Sequence, residues 1–177
     1  SALKNQGLLR SFAGVAEPQT RRVAISPIPD DIWSNMQGKS WHRDLPCPRR
    51  EDLSLLIVPY WNYAGRAETG RLIVARTAAR NVASVLQKLF DDRAFRIAKM
   101  RLVDDYDGSD ERSMADNNTS AFNCRRVDGS SVMSKHARGL AIDINPIENP
   151  YVDTRGASPA AGAPYAAPAQ RSAAVVG

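Results

Sequence analysis

The sequence GRLIVARTAARNVASVLQKLFDDRAFRIAKMRLV, residues 70–103, decides the fold that we expect for this chain. Its first part, Gly70–Ala75, is rich in aliphatic residues and predicts a strand. From Thr77 to Arg93 apolar residues recur every three or four positions, which predicts an amphipathic helix packed by one face. The apolar positions are Ala78, Val82, Val85, Leu86, Leu89 and Phe90. Phe95–Val103 then alternates with a period of two, so it predicts a second strand in the same sheet.

Three further segments add to this sheet. Leu53–Val58 is a short apolar run that Pro59 ends, and aromatic residues follow it. Thr119–Val127 and Leu140–Asn145 also have the character of strands. One main helix against an antiparallel-leaning sheet is an α+β arrangement, and this is the predicted fold class.

The length of the chain, 177 residues, and its apolar share of 43% suit one globular domain with a real core. Residues 1–37 are polar, contain several prolines and lack a clear periodicity, so they are expected to form an irregular N-terminal arm. The domain proper is expected to span residues 38–177.

The net charge of +5 favours anionic partners such as cell-wall polymers, nucleic acid or acidic lipid surfaces. The arginines are scattered and do not form a stripe with interleaved aromatics, so nucleic acid is the least favoured of these partners. No apolar run is long enough to cross a bilayer, and no transmembrane segment is expected. The N-terminus has no signal-peptide pattern, which suits a mature form after signal removal.

The two cysteines, Cys47 and Cys124, leave two alternatives open. They can form one disulfide, which would suit an oxidising compartment, or remain two buried free thiols.

A histidine and a carboxylate lie seven residues apart in the segment Ser134–Asp143. Gly139 between them allows the sharp turn that would bring the His136 imidazole and the Asp143 carboxylate to a common point. Catalytic zinc sites usually use three such ligands and leave the fourth position to water. The pair is therefore a candidate for two of three zinc ligands, and the alternative is a turn-capping aspartate beside a surface histidine.

The surrounding residues strengthen the zinc interpretation. Ser113–Arg125, Ser134–Asp143 and Asn145–Val152 together resemble the D-alanyl-D-alanine metallopeptidase family, and more closely its VanY-like and extensin-C-terminal-like branch. The signature of that branch is Ser-x-His-x-x-Gly-x-Ala-x-Asp, followed by Asp-Ile-Asn-Pro and Asn-Pro-Tyr, and every position is present. The resemblance extends over residues 38–171.

This resemblance implies the LAS-type zinc peptidase fold and zinc-dependent hydrolysis of peptidoglycan stem peptides, as a D,D-carboxypeptidase or a D,D- or L,D-endopeptidase. It implies Zn²⁺ as cofactor, held in part by His136 and Asp143. It also implies a bacterial protein of the periplasm or cell surface, with peptidoglycan or its stem peptides as partner.

The chain departs from the family in one respect. The family completes its site with a Glu and a His in an aromatic-rich C-terminal segment, whereas His42 and His136 are the two histidines here. The third zinc ligand and the general base are therefore not found, and whether the chain is an active enzyme stays open. We expect a truncated form of a longer enzyme more than a degenerate homologue, because Ser158-Pro159, Gly162, Tyr165 and Arg171 still resemble the family's approach to its last helix and strand. The alternative function is a catalytically inactive wall-binding module.

Four other residues are weighed for the site. Arg125 is the candidate catalytic cation, since a guanidinium can stabilise an oxyanion or hold a substrate carboxylate. Ser134 is expected to orient the loop or an outer group around His136. Glu148 lies between two prolines, where a rigid turn is the simpler account than a general base. His42 is expected to be a surface or packing histidine.

Overall fold

A three-stranded antiparallel sheet forms the scaffold in the computed structural model, which describes residues 21–166. Its order is β1-β2-β3, with β1 at Ala24–Ser26, β2 at Leu53–Trp61 and β3 at Ala67–Ala75. β2 and β3 pair along their whole length, whereas β1 pairs with β2 only from Leu55 to Ile57. The long β2–β3 hairpin is thus the most extensively paired part of the sheet.

Alternate side chains of β2 and β3 enter two separate cores, because successive residues of a strand point to opposite faces. One core lies between the sheet and the long helix α2, Ala79–Asp92. It includes Leu56, Val58, Tyr60, Leu72, Val74, Ala83 and Leu86. The other core includes Leu53, Leu55, Ile73, Phe122, Cys124 and Ala137. Each fully buried aliphatic side chain contributes roughly 1.5–3 kcal/mol to stability, and the second core fixes the segments that carry the candidate site.

Shorter elements complete the fold. α1 spans Asp30–Met36 and α3 spans Asp110–Ala115. β4, Lys99–Met100, pairs in parallel with β5, Asn118–Thr119, and β6, Tyr151–Asp153, pairs antiparallel with β7, Gly156–Ser158. A mixed α+β fold with an antiparallel sheet and few helices is confirmed. No helix formed by residues 21–166 combines the length and apolar character that a membrane span requires.

The prediction of the amphipathic helix is confirmed, although α2 begins two residues later than Thr77. Its C-terminal cap is Arg93, whose backbone is left-handed, a common end for a helix. The strand predicted at Gly70–Ala75 is also confirmed, and β3 begins three residues earlier.

The prediction that Pro59 ends its strand is wrong, since β2 continues to Trp61. Proline cannot donate a backbone hydrogen bond and is tolerated where one side of a strand is unpaired. The pairing of β1 stops at Ile57, so β3 is the one strand of the described residues that lies beside β2 at Pro59.

The prediction of one sheet that includes the three later segments is also wrong. Of Phe95–Val103 only Lys99–Met100 is a strand, and of Thr119–Val127 only Thr119 belongs to one. Leu140–Asn145 forms no regular strand and contributes one bridge, between Asp143 and Ser120. These segments are extended, but they are anchored by side-chain packing and isolated hydrogen bonds rather than by a continuous ladder, which a period-two pattern cannot distinguish.

The expected irregular arm contains regular structure in its described part. β1 joins the sheet, α1 follows it, and Ile28 and Met36 are buried in the second core. The expectation of irregular structure is therefore wrong for Ala24–Ser26 and Asp30–Met36. Residues 1–20, and residues 167–177 of the tail, lie outside the described residues. The domain boundary after residue 37 stays a prediction.

Cys47 and Cys124 form a disulfide, with Cα atoms 5.8 Å apart. Of the two alternatives that the sequence left open, the structure has the bonded pair. The bond ties the loop after α1 to the extended segment after β5, and this segment is the one that holds the candidate site.

Asn145 ties the end of the signature segment to the chain before β4. It is fully buried, donates to the Arg96 carbonyl at 2.8 Å and accepts from the Ala98 N–H at 2.9 Å. Its own N–H donates to the Thr119 hydroxyl at 3.2 Å. These bonds fix the chain two residues after Asp143.

Candidate metal centre

One extended segment, residues 120–125, is hydrogen-bonded to the part of the signature motif around His136 and to the part around Asp143. The main chains of Ser120 and Asp143 exchange two hydrogen bonds, of 3.0 and 2.9 Å. The Asn123 N–H donates to the His136 carbonyl at 3.2 Å, and the Ser134 N–H donates to the Arg125 carbonyl at 3.0 Å. His136 and Asp143 are thus brought together through a common neighbour.

His136 lies in a one-turn 3-10 helix, Lys135–Arg138, that is packed from below by buried Ala137. Ser134 caps this turn, because its hydroxyl accepts from the His136 N–H at 3.2 Å. The imidazole Nδ1 is 2.7 Å from the Ala121 carbonyl oxygen. A carbonyl can only accept, so Nδ1 carries the proton and Nε2 is left to face the other way.

Gly139 ends the turn with a left-handed backbone, φ +67°. Its carbonyl accepts from the Ala75 N–H at 2.9 Å, which fastens the motif to the end of β3. A Cβ at this position would lie 2.4 Å from the Ala75 nitrogen. Only glycine therefore satisfies both the backbone conformation and the close approach.

His136 Nε2 and Asp143 Oδ2 are 3.3 Å apart. The two side chains are 13% and 32% exposed. Burial lowers the pKa of the His136 imidazole, but hydrogen bonding and attraction from Asp143 and the Ala121 carbonyl outweigh it, so the pKa lies above its usual value. The unprotonated Nε2 and the carboxylate would repel each other, and a proton or a metal cation between them removes that repulsion.

The pair fits zinc. Zn–N and Zn–O bonds of about 2.0–2.1 Å at a tetrahedral angle place the two donor atoms about 3.3–3.4 Å apart, which matches the separation of Nε2 and Oδ2. Zinc-bound histidines usually donate their other ring N–H to a carbonyl or carboxylate, as His136 does to Ala121. Imidazole and carboxylate are both ligands that zinc accepts.

Arg125 is held by a carboxylate that the sequence analysis did not select. Its Nη2 donates to Asp110 Oδ2 at 2.5 Å and its Nη1 to the Arg126 carbonyl at 3.2 Å. Arg125 Nε is buried and has no acceptor. Burial raises the pKa of Asp110, Arg125 opposes this, and the charge of Asp143 adds to it. Asp110 and Arg125 are therefore close enough to the His136–Asp143 pair to share its electrostatic field.

Two residues considered from sequence lie in other surroundings. Glu148 accepts from Asn117 Nδ2 at 2.9 Å, and Asn117 also accepts from the Ile147 N–H. The carboxylate thus stabilises a turn, as its position between prolines suggested. His42 is half-buried in the loop after α1.

The third ligand is not identified. Among residues 21–166, no group of three or more histidine, cysteine, aspartate or glutamate side chains is arranged to hold a metal ion. Among the described residues, His136 and Asp143 are the candidate donors.

Sequence reasoning missed Asp110 and the Ala121 carbonyl. Asp110 follows Ser109, whose hydroxyl accepts from the Arg112 N–H at the start of α3, so in sequence it has the pattern of an acidic first-turn residue. A main-chain carbonyl has no sequence signal of its own. The proximity of residues 110 and 125 is a tertiary feature.

Comparison with known proteins gives one family match. Residues 128–177 match the family model described as D-alanyl-D-alanine carboxypeptidase. The match includes His136 and Asp143 but neither Asp110 nor Arg125, and it confirms the resemblance to the D-alanyl-D-alanine metallopeptidase family over those residues. No curated protein and no solved structure matches the chain.

Proposed function

We propose that this chain, with its match to the D-alanyl-D-alanine carboxypeptidase family, is the metal-binding part of a zinc-dependent peptidase that hydrolyses peptidoglycan stem peptides. The matched family acts on peptidoglycan, so a stem peptide of the bacterial cell wall is the proposed substrate. The proposed location is the periplasm or the cell surface, and the Cys47–Cys124 disulfide suits such an oxidising compartment.

One observation carries the proposal: Nε2 of His136 and Oδ2 of Asp143 converge at 3.3 Å while Nδ1 is committed to a carbonyl. A surface histidine beside a turn-capping aspartate would not need this arrangement. The hydrogen bond from Nδ1 to the Ala121 carbonyl fixes the tautomer of His136. The lone pair of Nε2 is therefore free to bind a cation beside the anionic oxygen of Asp143.

His136 and Asp143 would hold the zinc ion. A zinc ion held there would supply Lewis-acid polarisation of the scissile carbonyl and a water whose pKa is lowered to about 7. Arg125 would stabilise anionic oxygen on the substrate, because Asp110 leaves guanidinium N–H groups unused. Ser134 fixes the His136 backbone rather than its ring. The third ligand and the general base are the parts of the proposal that no described residue fills.

A second function is a wall-binding module without catalytic activity. It is favoured by the lack of a three-ligand group among the described residues and by the net charge of +5. Such a module would bind anionic wall fragments through its basic surface.

Incubation of the zinc-loaded chain with purified muropeptides, followed by mass spectrometry, tests the proposal. Loss of a terminal D-alanine supports a carboxypeptidase, and an internal cut supports an endopeptidase. The His136→Ala variant should lose either activity, whereas His42→Ala, which removes the other histidine, should retain it. Retention on wall fragments without any cleavage would support the binding module and contradict the peptidase.

A further inference from the structure

The Asp110–Arg125 pair has a role that neither the family match nor the motif assigns. We propose that Asp110 is a positioning residue, which holds the Arg125 guanidinium so that its unused N–H groups grip the C-terminal carboxylate of the substrate. This inference rests on the proposed function, since a substrate with a free carboxylate is what it explains.

The guanidinium is fixed at two points. Nη2 donates to the Asp110 carboxylate at 2.5 Å, and Nη1 donates to the Arg126 carbonyl at 3.2 Å. The two side chains are largely buried, with Arg125 28% and Asp110 18% exposed. An arginine that is free in solvent would lose several rotatable bonds of freedom on gripping a ligand, whereas Arg125 is already ordered.

The guanidinium also has spare capacity. Of its five N–H groups, two have protein acceptors, one on each Nη, and the buried Nε–H has none. The remaining Nη hydrogens are one on each nitrogen. Parallel donation from two nitrogens to a carboxylate is the arrangement that arginine uses for bidentate recognition.

Asp110 is placed beside the proposed zinc ligands without being one of them. The charges of Asp143 and His136 both act on it, yet the described residues form no three-ligand group that includes it. Among the described residues, Arg125 is the one ion-pair partner of Asp110. Asp110 would therefore act through Arg125 and not through the metal.

The main chain supports this placement. Arg125 and Ser134 are joined by a main-chain hydrogen bond two residues before His136. Asn123 donates from its side chain to the Gly108 carbonyl at 3.3 Å, which links the same segment to the start of α3 and so to Asp110. The guanidinium, its carboxylate and the imidazole are thus carried by one connected unit.

The test uses the full chain with ¹⁵N-labelled arginine and D-alanyl-D-alanine as the probe, with its C-terminal amide as the comparison. Asp110→Asn keeps the shape and an acceptor oxygen but removes the charge. Asp105→Asn is the matched control, because Asp105 pairs with Arg71 at 3.3 Å in another part of the chain. Asp110→Glu tests rescue by a carboxylate.

We expect slow rotation of the Arg125 guanidinium in the wild type and in Asp105→Asn, and fast rotation in Asp110→Asn. Affinity for the free-acid dipeptide should fall roughly tenfold or more in Asp110→Asn, the size expected for a lost charged hydrogen bond, and recover in part in Asp110→Glu. Zinc content should not change, and Asp110→Asn should add nothing to Arg125→Ala.

Unchanged or tighter dipeptide binding in Asp110→Asn would overturn the inference. If Asp110 did not position Arg125, loss of its negative charge would strengthen the attraction between Arg125 and the dipeptide carboxylate. Equal affinity of the wild type for the acid and the amide would also overturn it. The rotation and binding measurements need no turnover. If the wild type binds the dipeptide in this way but never cleaves muropeptides, the proposed peptidase fails while the positioning role stands.

Discussion

The Gly139→Ala substitution should destabilise the protein and disturb the metal pair together. At φ +67° an alanine costs roughly 1–2 kcal/mol in backbone strain. Its Cβ would also lie 2.4 Å from the Ala75 nitrogen, a main-chain atom that cannot rotate away. Overpacking of this kind adds about 1–3 kcal/mol, so the expected total loss of unfolding free energy is about 2–5 kcal/mol.

Gly129→Ala is the matched control. Gly129 has nearly the same backbone conformation, φ +71°, but a Cβ there would meet nothing within 4 Å. The strain is common to both variants, and the difference between them isolates the contact with β3. That difference should be about 1–3 kcal/mol in favour of Gly129→Ala.

Urea unfolding followed by circular dichroism measures both variants. With a typical slope of about 1–3 kcal/mol per molar urea, the Gly139→Ala midpoint should lie roughly 1 M below that of Gly129→Ala. Zinc binding should weaken in Gly139→Ala, because relief of the clash must shift the turn that carries His136. Equal midpoints and equal zinc affinity would refute the reasoning that the close approach to Ala75 holds the motif.

Three further predictions concern the framework around the site. Replacement of Cys47 and Cys124 by serine should lower the unfolding free energy by about 4–5 kcal/mol, from the closure of a 77-residue separation, and a thermal midpoint equal to the wild type would contradict this. Asn145→Ala should cost roughly 1–3 kcal/mol, because two partly buried main-chain groups lose their hydrogen-bond partner. A loss below about 0.5 kcal/mol in urea would contradict it. Hydrogen bonding from Lys99 lowers the pKa of Asp116 in the folded protein. The ionised Asp116 therefore stabilises the fold above about pH 4, and this contribution is lost as the pH falls through the lowered pKa of the folded state. Asp116→Asn should flatten that part of the profile of stability against pH, and an unchanged profile would count against the pairing.

Much of the fold could be predicted from the sequence where local patterns are strong. The helix that begins near Thr77 and the strand at Gly70 follow from hydrophobic periodicity, and the structure contains both. The period-two segments from residue 95 onward could not be resolved in this way. Alternation of apolar residues indicates which side chains are buried. It does not indicate whether a neighbouring strand forms continuous main-chain hydrogen bonds with the segment.

The site shows the same division. His136 and Asp143 could be selected because the signature around them resembles the D-alanyl-D-alanine metallopeptidase family, and the structure places their donor atoms 3.3 Å apart. Asp110 could not be selected, since only the tertiary fold brings it to Arg125. The Ala121 carbonyl that fixes the imidazole tautomer belongs to a residue whose side chain has no role in the site.

Metal binding by His136 and Asp143 is the central requirement of the proposed function. The decisive measurement is the zinc content and zinc affinity of the purified full chain, determined by elemental analysis and competition with a chelating dye, for the wild type, His136→Ala, Asp143→Ala and His42→Ala. We predict that the wild type and His42→Ala bind one zinc ion and that His136→Ala and Asp143→Ala lose it. Full zinc content in both His136→Ala and Asp143→Ala would contradict the metal centre and the peptidase that we base on it.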